Sequence, residues 1–128
     1  MGRYDDALGA LDEALVAKPT DPDIHLARAI IHVKRGDVPS ALDALRLYRT
    51  SPEIKRPSQQ YYAYTVLASA VSGDLDYAVA VGREGLGHYP DSGPVLVNTG
   101  QVLERRGEYE AASALYKRAT QTSPPLPG

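Results

Sequence analysis

The side chains best equipped for chemistry lie on one short stretch of the sequence. His25, Arg28, His32 and Arg35 recur at intervals of three, four and three residues, so on a helix they share a face. Two imidazoles in such a stripe invite a metal reading. Along a helix axis, however, His25 and His32 stand about 10 Å apart, and two ligands of one zinc ion must both come within about 2 Å of it. An unbent helix cannot arrange that, so no metal is expected. The stripe reads instead as a solvated face, exposed for want of a covering helix. The alternative is a basic, pH-responsive patch for an acidic partner.

Other candidates fare no better as chemistry. Gly82-Arg83-Glu84-Gly85-Leu86-Gly87 has the glycine content of a phosphate loop, but no strand precedes it and its glycine spacing reverses the dinucleotide fingerprint. It falls inside a predicted helix, where glycines signal close packing or a frayed end. Asp5, Asp6, Asp12 and Glu13 read as a solvated acidic face near a helix start. Lys55 and Arg56 with Arg46 and Arg49 make a small basic cluster, too little to predict nucleic-acid binding. Pro124-Pro125-Leu126-Pro127 is read as a helix stop rather than a polyproline ligand. No catalytic residue, cofactor or metal is expected, and the chain is not read as an enzyme.

Bulk properties exclude further classes. The 128 residues carry 14 basic and 16 acidic side chains, a formal net charge of -2, and that mixture creates no field to draw nucleic acid or an anionic membrane. Cysteine is absent, which removes disulfides and thiolate metal sites. The longest uncharged stretch, residues 57–73, is polar in part and shorter than the roughly 20 apolar residues of a membrane span. No signal peptide is visible after Met1, so a soluble, cytoplasmic protein is expected.

The elements that position these residues follow from a repeat. Gly2, Gly36, Gly73 and Gly107 each precede, by five residues, an alanine: Ala7, Ala41, Ala78 and Ala112. A period of 34, 37 and 34 residues marks stacked helical repeats. Each glycine suits the left-handed turn that closes a helix, and Asp37 or Asp74 can cap the next. Apolar spacing of three and four residues predicts seven helices, at 4–17, 22–34, 38–50, 58–72, 75–88, 94–106 and 109–122. Alanines at Ala7, Ala14, Ala41, Ala78, Ala112 and Ala119 allow paired helices to approach closely.

At these positions the chain resembles the tetratricopeptide repeat family, whose 34-residue unit is a helix–turn–helix. Leu96, Gly100 and Leu103 fill the first-helix signature of the last unit, and Tyr109, Ala112, Tyr116, Ala119 and Pro124 fill its second half. Ala7, Leu11, Ala14 and Pro19 match a second half alone. The resemblance implies an all-α solenoid forming a single domain over 1–128. Its parts are a half repeat at 1–21, repeats at about 22–57, 58–91 and 92–124, and a Pro-rich tail at 123–128. Departures are specific: His25, Arg28 and His32 stand where the family prefers an aromatic, a Leu and a Tyr, and Gly82 where a large residue is usual. Three extra residues around 51–57 predict a looser joint.

The resemblance also implies a function. It makes the chain a non-catalytic scaffold or adaptor that binds a protein or peptide partner in a groove. The groove slots fall on Leu26, Ile30, Val33 and Lys34, then Tyr64 and Leu67, then Val97, Asn98, Gln101 and Arg105. Of these only Asn98 suits the carboxylate clamp used by some family members, so an amphipathic helix or apolar peptide fits better. The alternative is a homo-oligomer, or a subunit of a larger complex, packed through ends where Leu8, Leu11 and Leu15 or Leu115 and Ala119 lack a sequential neighbour.

Overall fold

Three of the four repeated glycines occupy the left-handed region, Gly36 at φ 79°, Gly73 at 94° and Gly107 at 83°, where a Cβ is strained and glycine is not. Two of these turns feed straight into a capped helix. The Asp37 carboxylate accepts from the Ser40 backbone N–H at 3.3 Å, and Asp74 from that of Tyr77 at 3.1 Å. Ser58 and Ser92 cap in the same way, and Pro22, Pro39 and Pro94 sit in first turns, where their missing N–H costs nothing. The remaining glycine, Gly2, is extended at φ -157° and precedes the first helix.

The computed structural model describes residues 2–122. Among them are seven helices and no strand: α1 Arg3–Ala17, α2 Pro22–Arg35, α3 Val38–Thr50, α4 Gln59–Val71, α5 Leu75–His88, α6 Gly93–Arg105 and α7 Tyr109–Thr122. Each end lies within one residue of the position the apolar periodicity predicts. The Pro-rich tail, Pro124 included, lies outside the described residues.

The described residues divide into two compact units, one running up to residue 57 and the other starting at residue 58. In the first, α2 packs on α3 and α1 packs on α2. Leu26, Ala29, Ala41, Ala44, Leu45 and Tyr48 form its core. In the second, α4 packs on α5, α5 on α6, α6 on α7, and α4 also meets α6. Tyr62, Val66, Val79, Val95, Leu96 and Val102 are almost wholly buried there.

Small residues set how closely these helices lie. Ala41, Ala78 and Ala112 are buried. Three glycines go further. A Cβ on Gly85 would stand 2.7 Å from Tyr62 Cγ, and one on Gly100 would stand 2.6 Å from Tyr116 Cε1. A Cβ on Gly82 would overlap the Thr99 side chain more severely. This is why Gly82 replaces the usual large residue: Thr99 of α6 occupies the space such a residue would take. Both tyrosines lie over their glycine and donate their hydroxyls to a glutamate, Tyr62 to Glu84 at 2.6 Å and Tyr116 to Glu104 at 2.5 Å.

Two glycines of α5 should therefore respond to alanine with opposite signs. Gly85→Ala forces Tyr62 to move and is expected to destabilise by about 1–3 kcal/mol. Gly87 has nothing within 4 Å of an added Cβ, so Gly87→Ala should stabilise by about 0.5–1 kcal/mol through helix propensity. Urea denaturation of the two variants beside the parent checks both signs.

Candidate functional site

The basic stripe on α2 is not the open face its composition suggests. His25 is buried, 5% exposed, and its Nε2–H donates to the Pro19 carbonyl at 3.0 Å. Ser51, also buried, donates its hydroxyl to the neighbouring Thr20 carbonyl at 2.6 Å. Together the two side chains hold the α1–α2 turn. Further along, Arg28 Nε lies 3.5 Å from the Asp12 carboxylate and Arg35 donates to that of Asp5 at 3.0 Å. His32 Nδ1 stands 3.8 Å from Asp37.

The expectation that this face is uncovered is thus corrected for His25, which is buried, and for Arg28 and His32, which are half-buried, while Arg35 stays exposed; α1 lies against α2 and supplies the opposite charge. Asp5 and Asp12, read as merely solvated, are its counterions. The family comparison already held the signal. His25, Arg28 and His32 occupy slots where other members place packed residues, and a polar residue in a packed slot needs a partner nearby.

The ten groove slots divide between the units. On α2, Leu26 is buried, Ile30 and Val33 are half-buried and Lys34 is exposed. In the second unit, α4 and α6 are tied side by side by two polar contacts. Asn98 donates its amide to the Ala63 carbonyl at 3.0 Å, and Arg105 donates to the Ala70 carbonyl at 2.8 Å. Both contacts bridge 35 positions, so they recur seven residues apart on each helix, at the same register. Asn98 and Arg105 therefore hold the groove wall together.

Between these helices lies an open hollow of about 660 Å³, lined by Ser58, Gln59, Gln60, Ala63, Tyr64, Leu67, Pro94 and Asn98. No lining residue is charged. A smaller hollow of about 100 Å³ continues along the same helices, lined by Leu67, Ala70, Val71, Asn98, Gln101, Val102 and Arg105. Leu67 and Asn98 line both. Val71, outside the groove slots expected from sequence, is 62% exposed beside them. Its position one turn after Leu67 was the available sign. Val97 is exposed but lines neither hollow.

The remaining features are structural. The glycines of 82–87 include two packing contacts, at Gly82 and Gly85, with no phosphate cradle. Burial, and then the Glu104 carboxylate it donates to, push the Tyr116 hydroxyl up to about 12. Among the described residues no group of three or more His, Asp or Glu is placed to hold a metal ion, and no helix is long and apolar enough to cross a membrane.

A family model described as tetratricopeptide repeat matches residues 1–53 and 66–127. Repeats of this family generally serve as non-catalytic scaffolds for protein interaction. Among solved structures, one of MamA superposes with a TM-score of 0.84 at 17% identity, covering 94% of this chain and 69% of that one. A second, of MamA protein, gives 0.79 at 18%, covering 94% and 64%. A structure of MamA MSR-1 gives 0.76 at 18%, covering 94% and 68%. At these identities the likeness concerns the fold. No curated protein matches the chain in sequence.

His32 generates a pH prediction. Burial is the largest cause holding its pKa below the ordinary 6.5. Arg28 and Arg35 on its own helix act in the same direction, while Asp37 before α3 and Asp12 on α1 oppose them. The fold thus prefers the neutral ring. The unfolded chain takes up the proton first, so the stabilisation is complete above 6.5 and is lost as pH falls through the lower folded value. Urea midpoints should fall between about pH 7.5 and about 5.5, and His32→Gln should shrink that fall. Equal falls in parent and variant would remove His32 as a contributor.

Proposed function

Starting from a chain that belongs to the tetratricopeptide repeat family, we propose a non-catalytic interaction scaffold that seats an amphipathic helix or apolar peptide across α4 and α6. One observation carries the reading: the uncharged hollow between these helices, floored by Ala63, Tyr64 and Leu67. An apolar side chain entering it leaves water without stranding a charge, and the amides of Gln59 and Gln60 at its edge offer hydrogen bonds to a peptide backbone. Asn98 and Arg105 fix the spacing of the two helices, so the hollow is formed before a partner arrives and little ordering is needed on binding.

Selection of helical peptides from a displayed library against the full chain tests this. The peptides recovered should share an apolar anchor. Leu67→Asp should weaken them by about tenfold or more, the scale of a central anchor contact, while the helical circular-dichroism spectrum is kept. Val71→Asp, at a more exposed position, provides the same readout with less demand on the fold. Undiminished binding by both folded variants would place the partner elsewhere.

A further inference from the structure

The interface between α1 and α2 has the character of a bound ligand more than of a core. Among the described residues α1 packs on α2 alone, and no residue of α1 is buried. Its Leu8, Leu11 and Leu15 are only half-buried, and Val16 is 87% exposed. The specific contacts are charged: Arg28 with Asp12, and Arg35 with Asp5. The aspartates are seven residues apart, as are the arginines, and the pairing order is reversed, so the two helices run in opposite directions with two matched pairs two turns apart. Asp12 and Asp5 remain 64% and 59% exposed, which leaves these pairs open to water and to screening by salt.

We propose that α1 is a displaceable internal ligand, and that the α2 face beneath it receives an acidic amphipathic helix from a protein partner. The chemistry of that partner is read from the occupant now present. It has two carboxylates seven residues apart on one helix face, with leucines between and just beyond them. Displacement is open to such a helix because α1 can leave without exposing a buried residue of its own. The face uncovered keeps its shape, since α2 remains packed on α3, with Leu26, Ala29, Ala41 and Leu45 buried. The site uses a different pair of helices from the α4–α6 hollow, and neither reading depends on the other.

The probe is a labelled peptide of residues 2–18, titrated into the full chain, with hydrogen exchange followed by mass spectrometry on the mixture. Saturable binding is expected, weakened by added salt. As the peptide binds, the amides of the chain's own α1 should lose protection while those of α2 and α3 keep theirs. A peptide carrying Asp5→Lys and Asp12→Lys should bind the unaltered chain at least about tenfold more weakly, as expected for reversed charge at a matched pair. The chain carrying Arg28→Glu and Arg35→Glu should prefer that lysine peptide instead. The proposal is overturned if the native peptide fails to bind, if it binds while α1 stays protected, or if the two peptides bind the unaltered chain equally. The peptide substitutions leave the protein untouched, so a folding defect in the arginine variant cannot mask the answer.

Discussion

Two helices can lie no closer than the smallest residues at their crossing allow, and the second unit is built around that limit. Glycine supplies the gap at Gly82, Gly85 and Gly100, and a larger side chain from the neighbouring helix fills it in each case: Thr99, Tyr62 and Tyr116. With its side chain packed against the glycine, each tyrosine donates its hydroxyl to a glutamate, Tyr62 to Glu84 and Tyr116 to Glu104, so packing and hydrogen bond act at the same crossing. A similar constraint fixes the working surface. With α5 held against both α4 and α6, Asn98 and Arg105 can reach carbonyls on α4, and the hollow between those helices acquires a definite width.

Polar groups in this chain mostly serve geometry. His25 and Ser51 hold one turn by its carbonyls, and Arg118 holds another through the Pro90 carbonyl at 2.7 Å. Thr65, Ser69 and Thr99 bury hydroxyls without a hydrogen-bond partner in the protein. Each such group costs free energy, and the compensation at Thr99 is visible: its side chain fills the space left by Gly82. A hydroxyl of that size keeps the crossing close where a bulkier group would push α5 and α6 apart.

How much was legible in the sequence depended on whether the signal was local. Helix ends were legible because Gly36, Gly73 and Gly107 close turns by their own backbone conformation and Asp37 and Asp74 cap within three residues. Close packing at Gly82 was legible as an oddity of residue size. The stripe on α2 was not legible from α2 alone. Spacing showed that His25, Arg28, His32 and Arg35 share a face, but burial depends on what crosses that face, and the carboxylates of Asp5 and Asp12 come from another helix. Similarly, Asn98 and Arg105 occupy groove slots by alignment, yet each is spent on a carbonyl 35 residues away. A pattern within one helix cannot reveal such a use.

The contrast between α1 and α7 shows what separates a fixed helix from an exchangeable one. Among the described residues each packs on a single neighbour, α2 or α6. Yet α7 buries Ala112 fully and presses the Tyr116 ring onto Gly100, with Glu104 receiving its hydroxyl. Removing α7 would open a ring-sized void above a glycine, and packing losses of that kind are large. The attachment of α1 has no counterpart to this. Its leucines rest in partial contact and its aspartates meet arginines in the presence of water, where an ion pair competes with hydration. Packing against glycine makes a helix part of the fold, whereas charge matching at a wet surface makes it replaceable by any helix with the same charges in the same register.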